Sequence, residues 1–296
     1  MLKLDEKKIR KGKPIGLPYI GSKKKVSKKI VEIIKQNFGS DKPVYDIFGG
    51  GGAITAELLL NGFEVHYNDL DSDIMDMFVR VISQDREWIK TLIVSRNDFF
   101  DILSKSQKTV DDKLKLLINS FGNNQKDYLY GKRWSDAKYN LAVEIMKKHD
   151  VFGGYKQTET YRNAIKQPQQ PQQLQQLQQL ERLQQLQQLQ QLEQLQQLGR
   201  LQITNRDYTA FSNVENSVLY LDPPYEDAKN SYKFKFDHQS FYNWCVKVAR
   251  KNIVIISSYD ISDPRFEVSF EFNNAYGTLS GGCNTRKHER LFMVKK

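Results

Sequence analysis

The sequence predicts a doubly wound α/β fold, in which helices cover both faces of a mostly parallel sheet. Three observations support this fold class. Short segments with the composition of strands alternate with helical segments on both sides of the chain's middle. A run of glycines joins the first predicted strand to a helix. The chain, at 296 residues, is also long enough for a large sheet domain and a second lobe.

The first strand is predicted at residues 43–48, immediately before four consecutive glycines. Residues 53–60 then predict a helix, and Asn61-Gly62 gives its stop signal, because glycine commonly follows the last turn of a helix. Residues 64–69 predict the second strand, since they are rich in the β-branched and aromatic side chains that favour strands.

The same alternation returns towards the C-terminus. A helix around residues 241–250 lies among five further predicted strands, at 201–205, 218–222, 253–258, 266–272 and 291–294. Residues 75–166 are mostly helical and polar and show no strand alternation. We therefore expect a sheet domain formed by residues 1–74 and 201–296, with residues 75–166 inserted into it as a separate lobe.

Residues 167–200 form a low-complexity segment. From Gln167 to Gln202, 19 of 36 residues are Gln, and ten Leu recur every third residue from Leu174 to Leu201. Because a helix turns about 100° per residue, each Leu falls about 60° behind the previous one, and the series travels around the helix. Leu and Gln both favour helices, so we expect a helical, poorly anchored insertion that acts as a spacer. Self-association through exposed Leu is the alternative.

Composition excludes several classes of protein. No apolar run approaches the ~20 residues that a membrane span needs, and the N-terminal residues lack the apolar core of a secretory signal. Two cysteines, Cys245 and Cys283, cannot build a disulfide framework or a Cys-only zinc site, and the four histidines show no metal-ligand spacing. We expect a cytoplasmic protein that binds no metal and no membrane.

Positive charge is concentrated near the N-terminus. The net charge is +10, and residues 1–44 contain 13 Lys and Arg against four acidic residues, which is +9 of that total. A basic balance favours a polyanionic partner such as nucleic acid, although a solvated basic arm has the same composition.

The glycine loop Asp46–Gly52 lies between a strand and a helix. Glycines there let the backbone approach a ligand and leave the N–H groups of the helix available. Asp69, at the end of the second strand, stands where a carboxylate would bind ribose hydroxyls. A dinucleotide fingerprint would require a further Gly or Ala where this chain has Ile54 and Thr55. The loop therefore indicates an adenosine-type ligand, with a plain tight turn as the alternative.

The most specific motif is Asp222-Pro223-Pro224-Tyr225, at the end of an apolar strand. Proline fixes φ and has no N–H group, so the loop is rigid and cannot continue a sheet ladder. It offers two acceptors, the Asp222 carboxylate and the Pro223 carbonyl, beside an aromatic ring. This combination suits an exocyclic amine on a planar base, which would donate two N–H bonds and stack on Tyr225.

These motifs resemble those of the amino-group methyltransferases that use S-adenosylmethionine, most closely the DNA N6-adenine methyltransferases of the Dam type. Four further segments are similar to that family: Pro18–Lys23, Asn68–Asp71, Asn205–Tyr208 and Lys287–Phe292. Two departures are Ser22 and Ile47, where the family usually has Gly and Pro. The resemblance implies a Rossmann-like methyltransferase sheet with an inserted, mainly helical DNA-recognition lobe.

The resemblance also implies the site residues and the cofactor, S-adenosyl-L-methionine without a metal. The catalytic residues would be Asp222, Pro223, Pro224 and Tyr225. The residues expected to bind the cofactor are Tyr19, Lys23, Asp46, Phe48, Gly49, Gly51, Asp69, Asp207 and Tyr208.

The expected chemistry follows from the acceptors of the loop. Adenine N6 is a poor nucleophile because its lone pair is delocalised into the ring, and hydrogen bonds to Asp222 and Pro223 would favour a more tetrahedral nitrogen. The amine of stacked duplex DNA cannot reach such a pocket, so base flipping is implied. A cytosine-C5 enzyme would need a nucleophilic Cys, typically after Pro, but Cys245 follows Trp244 and Cys283 follows Gly282.

By the resemblance, the lobe at 75–166 chooses the DNA sequence. Its segment 119–134 mixes amides, cations and aromatics, which can pair with bases, contact phosphates or wedge into the stack, although an ordinary polar loop has similar composition. Candidate DNA-binding residues are Ser120, Asn123, Asn124, Tyr128, Lys132 and Arg133.

The expected partner is double-stranded DNA, with a companion restriction endonuclease as an additional partner and a monomer as the favoured state. Two alternatives stay open: an amino-methyltransferase for RNA, cytosine N4 or protein glutamine, and a non-catalytic DNA-binding relative.

Overall fold

A computed structural model describes residues 1–19, 21–166, 180–195, 199–226, 236–276 and 288–295, with the backbone alone described at 273–276. The chain divides into two compact units. The sheet unit consists of Met1–Pro14, Gly21–Met75 and Gln197–Lys296, and the helical unit consists of Ile15–Ile20 and Asp76–Gln196. Each unit is described by itself below.

The sheet unit contains a seven-stranded sheet within the described ranges. Its strands are β1 (Val44–Asp46), β2 (Val65–Asn68), β3 (Leu201–Thr204), β4 (Val218–Leu221), β5 (Ile253–Ser258), β6 (Phe266–Tyr276) and β7 (His288–Val294). They are arranged in the order β3-β2-β1-β4-β5-β7-β6. Strands β1 to β5 pair in parallel, whereas β7 runs antiparallel to both β5 and β6. All seven predicted strands are present, and the predicted doubly wound α/β fold is confirmed.

Four helices accompany the sheet: α1 (Ser27–Phe38), α2 (Ala53–Leu60), α3 (Ser72–Ile82), which crosses into the helical unit, and α10 (His238–Val248). Helix α2 follows the glycine loop directly and is buried along nearly its whole length, as expected for a helix that is apolar on every side. Its one acidic residue, Glu57, is neutralised by Arg10, whose Nε lies 2.8 Å from the Glu57 Oε1. Helix α10 begins at the cap Asp237, which accepts a hydrogen bond from the Ser240 backbone N–H.

The helical unit is built from α4 (Arg86–Lys90), α5 (Arg96–Ser104), α6 (Val110–Asn119), α7 (Lys132–His149), α8 (Glu159–Lys166) and α9 (Glu181–Glu193). Capping boxes define the starts of two of them. Ser95 and Asp98 form the box of α5, and Thr109 and Asp112 form that of α6. This region is helical, as the sequence predicts. Among the described residues, no helix of the chain is both long enough and apolar enough to cross a membrane.

The described part of the Gln/Leu segment, residues 180–195, corrects one prediction. It is helical as expected, but it is not poorly anchored. Its six Leu are all at most 1% exposed, and only Gln184 and Gln194 are exposed within the segment. The six are Leu180, Leu183, Leu186, Leu189, Leu192 and Leu195. Residues 167–179 and 196–198 lie outside the described residues.

The physical reason lies in what surrounds α9. The three-residue spacing spreads the four Leu of α9 over about 180° of its circumference, because each step turns by about 60°. A helix with apolar residues over such a wide arc is stable when its neighbours cover that arc. Helices α4 and α6 pack against α9, so the Leu form part of the core of the helical unit. Self-association through these six Leu is therefore excluded while the unit is folded.

Candidate active site

The site lies at the carboxyl ends of three neighbouring strands. Strand β1 lies between β2 and β4, and all three run parallel. The glycine loop, Asp69 and the Asp222–Tyr225 loop follow β1, β2 and β4, so the parallel arrangement brings them to one edge of the sheet. This edge is where open α/β sheets bind their ligands.

The glycine loop is shaped by close packing against β2. The Gly49 N–H donates to the Asn68 carbonyl at 2.8 Å, and a Cβ atom on Gly49 would come within 2.3 Å of a Tyr67 ring carbon. Gly50 and Gly52 have φ values of +48° and +71°, which favour glycine. Gly51 is buried in the same loop. The sequence therefore needs glycine here for packing as well as for ligand approach.

Asp46 is a buried carboxylate whose two oxygens differ. Its Oδ2 accepts hydrogen bonds from the Thr55 backbone N–H at 3.1 Å and the Thr55 Oγ1 at 2.6 Å. Its Oδ1 is buried and has no hydrogen-bond partner among the described residues. Burial raises the pKa of Asp46 to about 7, and the charges of Asp222 and Asp69 add to that effect. A buried acceptor without a donor fits the positively charged amino group of a bound cofactor.

Asp69 is held by backbone donors. Its Oδ2 accepts from the Gly50 N–H at 2.7 Å and its Oδ1 accepts from the Asp71 N–H at 2.8 Å. Burial raises its pKa above the usual range, although these hydrogen bonds act in the opposite direction. Each carboxylate oxygen can accept a second hydrogen bond, so the arrangement fits the ribose hydroxyls of an adenosine group.

Phe48 and Tyr208, both predicted to bind the cofactor, lie in one aromatic group. Their ring centroids are 6.3 Å apart, and the Tyr208 ring contacts Phe241 at 5.3 Å and Trp244 at 5.1 Å. Asp207, beside Tyr208, accepts from the Thr209 N–H at 2.9 Å and so fixes the turn after β3. The structure thus places apolar ring surface beside the glycine loop.

The Asp222–Tyr225 loop belongs to a charged network that the sequence motifs reveal only in part. The Nζ of Lys23 lies 2.8 Å from the Oδ1 of Asp222, 2.6 Å from the hydroxyl of Tyr225 and 3.7 Å from the Oε2 of Glu289. The Tyr225 hydroxyl contacts Glu289 Oε1 at 2.7 Å and Asp222 Oδ1 at 3.2 Å. Ser257 on β5 donates to the same Glu289 oxygen at 2.7 Å.

Burial and charge act against each other in this network. Burial alone would lower the pKa of Lys23, but the carboxylates of Asp222 and Glu289 more than offset it, and the pKa is raised. Burial raises the pKa of Asp222 to about 6, Lys23 lowers it and Glu289 raises it. Lys23 therefore helps to keep Asp222 ionised near neutral pH, when it can accept a hydrogen bond.

Four of the predicted site residues differ in burial and in the part of the molecule where they lie. Pro223 is buried, and Pro224 is half-buried beside it. Lys23, which the resemblance assigns to the cofactor, contacts the catalytic loop. Tyr19 is half-buried and belongs to the helical unit. Contacts of Lys23 or Tyr19 with a cofactor stay predictions. Of the C-terminal segment, Lys287 lies outside the described residues.

Sequence reasoning missed the roles of Glu289 and Ser257. The motif that contains Glu289 was noted, but its carboxylate was not assigned to the site. The available signal was the polar end of each of two otherwise apolar strands, where Ser257 and Ser258 end β5 and His288, Glu289 and Arg290 begin β7. A buried carboxylate in such a strand requires partners.

The candidate DNA-binding residues of the helical unit form a tight loop. The Ser120 hydroxyl accepts from the Gln125 N–H at 2.8 Å, and the Asn124 side chain accepts from two backbone N–H groups. Asn123 has a φ of +58°, and its amide donates to the Leu117 carbonyl. These contacts shape the loop between α6 and α7.

Exposure differs among the residues of that loop. Tyr128 is buried, and its hydroxyl donates to the Val94 carbonyl at 3.1 Å, whereas Lys132 and Arg133 are exposed. Phe121 at the loop is 67% exposed, which is unusual for a large apolar side chain. Exposed cations and an exposed ring are the groups that could reach a nucleic acid.

Within the described residues, no three or more His, Cys, Asp or Glu side chains are grouped as a metal ion would require. The fold and the site together define a Rossmann-like methyltransferase. A sequence model of the D12 class N6 adenine-specific DNA methyltransferases matches residues 19–244. The chain belongs to that family.

Two solved structures are similar to this chain over nearly its whole length. The proposed methyltransferase yhhF from Escherichia coli has 9% sequence identity and a TM-score of 0.40, with 96% of each chain covered. The proposed methylase HI0767 from Haemophilus influenzae has 8% identity and a TM-score of 0.34, with 92% of this chain and 98% of that chain covered. No curated protein sequence matches the chain. The family assignment therefore rests on the sequence match.

Proposed function

We propose that this protein transfers a methyl group from S-adenosylmethionine to the N6 amino group of a flipped-out adenine in duplex DNA. The observation that carries the proposal is the position of Asp222. A largely buried carboxylate lies at the end of β4, next to the glycine loop after β1, and contacts Lys23 and Tyr225. Membership in the D12 family supports adenine in DNA as the substrate.

The cofactor residues would divide the ligand among them. The Oδ1 of Asp46 would accept from the amino group, Asp69 would accept from ribose hydroxyls, and Phe48 with Tyr208 would supply apolar surface for the adenine ring. When bound, S-adenosylmethionine supplies the methyl group and the sulfur that leaves as a neutral thioether.

Asp222 would act on the substrate amine. Its carboxylate and the Pro223 carbonyl accept the two N6–H groups, which directs the nitrogen lone pair towards the methyl carbon. Once the nitrogen carries the methyl group, Asp222 or water would accept the amine proton. Tyr225 would stack on the base, and its ring is held edge-on by Tyr259 at a centroid distance of 4.7 Å.

The helical unit would choose the DNA sequence. Lys132 and Arg133 are exposed cations suited to phosphates or guanine, and Phe121 is an exposed ring suited to wedging between bases. In the basic segment 1–44, Lys28 and Lys29 are engaged locally, by the Gly12 carbonyl and by Glu6. Cytoplasmic location, a companion endonuclease and a monomeric state stay predictions.

The test is methyl transfer by the purified protein. Duplex DNA is incubated with labelled S-adenosylmethionine, and N6-methyladenine is measured by mass spectrometry after digestion, with RNA, cytosine-only duplexes and protein as parallel substrates. We expect adenine in DNA to be modified, and Asp222→Asn to lower the rate by about 10²–10³-fold with cofactor binding retained by calorimetry. The exposed Asp41→Asn is the matched control. Label appearing only in RNA, cytosine or protein would contradict the proposal, and no cofactor binding would indicate a non-catalytic relative.

A further inference from the structure

We infer that Glu289 is a positioning residue for the reaction proposed above. Its carboxylate accepts the hydrogen bond of the Tyr225 hydroxyl, beside a second one from Ser257, and so leaves the Asp222 carboxylate available to the substrate amine. The inference rests on the proposed function, and it concerns a residue of β7 that lies 64 positions from Tyr225 along the chain.

The sheet register brings Glu289 to the site. Strand β7 pairs with β5 so that Leu291 lies opposite Ser257 and Arg290 lies opposite Ser258. Glu289, just before Arg290, is 6% exposed. Its Oε1 is 2.7 Å from both the Tyr225 hydroxyl and the Ser257 hydroxyl. A carboxylate buried at the edge of an apolar sheet is costly, and here two hydroxyl donors and the nearby Lys23 compensate for it.

Two carboxylates lie close enough to the Tyr225 hydroxyl to accept its hydrogen bond. The hydroxyl has one proton, and Glu289 Oε1 is 2.7 Å away whereas Asp222 Oδ1 is 3.2 Å away. Because hydrogen bonds from hydroxyls to carboxylates are short, the Tyr225 hydroxyl donates its hydrogen bond to Glu289. Lys23 approaches the same hydroxyl oxygen at 2.6 Å and occupies its acceptor side, which leaves the proton pointing away from Lys23.

Asp222 is consequently left as an acceptor. Lys23 is the donor on its Oδ1, and no hydrogen bond from the part of the chain that the structure describes reaches its Oδ2. If Glu289 were absent, the nearest acceptor for the Tyr225 proton would be Asp222 Oδ1. That proton would then compete with the substrate amine for the carboxylate.

The charged groups that face Asp222 give the inference a pH signature. They are Lys23, Tyr225 and Glu289, with Tyr220 and Asp46 farther away. The negative charge of Glu289 raises the pKa of Asp222, so its removal lowers that pKa. The acid side of the pH–rate profile should therefore move to lower pH in a Glu289 variant, which general weakening of the fold would not cause.

The experiment compares Glu289→Leu, Tyr225→Phe and the double variant under saturating DNA and cofactor. We expect Glu289→Leu to lower kcat about tenfold, as for loss of a hydrogen bond to a charged group, and to leave the cofactor Kd within about twofold. Glu289→Gln keeps an acceptor oxygen and should recover part of the rate. In the Tyr225→Phe background there is no proton to redirect, so Glu289→Leu should cause no further loss. The exposed Glu267→Leu on β6 is the matched control.

The inference would be overturned if Glu289→Leu lowered kcat equally in the wild-type and Tyr225→Phe backgrounds. An acid side of the pH–rate profile that did not move would also overturn it. A double-mutant cycle of stability distinguishes the positioning role of Glu289 from the proposed function. The wild type, Glu289→Leu, Tyr225→Phe and the double variant are unfolded in urea. We expect the Glu289 and Tyr225 changes to couple by about tenfold in the unfolding equilibrium constant. If the wild type fails to methylate DNA, the proposed function is wrong, while additivity in urea overturns the positioning role by itself.

Discussion

Lys23 in the sheet unit and Arg182 in the helical unit are both withdrawn from water against tyrosine rings, but of these two only Lys23 is matched by carboxylates among the described residues. Lys23 in the sheet unit lies 4.9 Å from the centroid of the Tyr225 ring and contacts Asp222 at 2.8 Å and Glu289 at 3.7 Å. Its charge is therefore compensated, and its surroundings are polar.

Arg182 in the helical unit is fully buried. Its guanidinium carbon lies 4.5 Å from the centroid of the Tyr128 ring and 4.8 Å from that of Tyr130. The Nη1 donates to the Val94 carbonyl at 3.3 Å, but Nε and Nη2 have no hydrogen-bond partner among the described residues. The nearby carboxylate of Glu181 accepts from the Tyr130 hydroxyl at 2.8 Å.

The difference indicates different roles for the two cations. If a buried cation that lies beside carboxylates is removed, those carboxylates are left without a counter-ion. Lys23 therefore stabilises the arrangement of the carboxylates around it. A buried guanidinium with unsatisfied N–H groups and two ring faces acts mainly by filling space and by cation–π attraction. The comparison predicts opposite results from the same type of substitution.

The largest effect is expected for Lys23→Met. It leaves Asp222 and Glu289 close together and without a counter-ion, which should lower the free energy of unfolding by about 3–5 kcal/mol. Methyl transfer at neutral pH should also be lost, because Asp222 would be largely protonated. Urea denaturation and the rate assay measure the two effects. The exposed Lys25→Met is the control, and a loss below about 1 kcal/mol would contradict the matched-charge interpretation.

The second effect concerns α9, which carries Arg182. Leu186→Ala should lower the free energy of unfolding by about 3 kcal/mol, because it opens a cavity at a fully buried position. Gln184→Ala, at an exposed position two residues earlier, should change it by less than about 0.5 kcal/mol. Equal and small changes at both positions would mean that the helix is the spacer that the sequence suggested. Urea denaturation again gives the comparison.

The two regions also differ in how far the sequence predicts them. The glycine loop and the Asp222–Tyr225 loop are short patterns whose meaning is local, because glycine conformation and proline rigidity are set within a few residues. Their position at one sheet edge follows from parallel strand order, which alternation of strands and helices predicts. This part of the fold is found as expected, whereas cofactor binding by Phe48 and Tyr208 stays a prediction.

The rest depends on residues distant in the chain. Glu289 reaches Tyr225 through the pairing of β7 with β5, and a sequence shows no register between strands separated by about 30 residues. The spacing of Leu in α9 is readable, but their burial depends on α4 and α6. A periodic pattern predicts which side chains share a face, whereas the neighbours decide whether that face is covered.

The third effect is a dependence of the methyl-transfer rate on pH, which we expect from the ionisation of Asp222 beside Lys23. Because burial raises the pKa of Asp222 to about 6 and the ionised form accepts the substrate amine, the rate should fall about tenfold per pH unit below pH 6. The same raised pKa means that the stability contributed by protonated Asp222 is present at low pH and lost as pH rises through about 6. Steady-state kcat/KM between pH 5 and 9 measures it. A flat profile down to pH 5 would contradict the assigned role.

The smallest effect is expected for Arg182→Met, the direct counterpart of Lys23→Met. Met has a similar length, fills the space between Tyr128 and Tyr130, and removes two buried nitrogen atoms, Nε and Nη2, that have no described partner. The lost cation–π attraction and the lost bond to Val94 oppose that gain, so the free energy of unfolding should change by no more than about 1 kcal/mol. Methyl transfer should stay within about twofold of wild type, because Arg182 belongs to the helical unit and is not among the residues assigned to methyl transfer. A loss above about 3 kcal/mol in urea would show that Arg182, like Lys23, has a matched charge partner, and the contrast between the two cations would then be wrong.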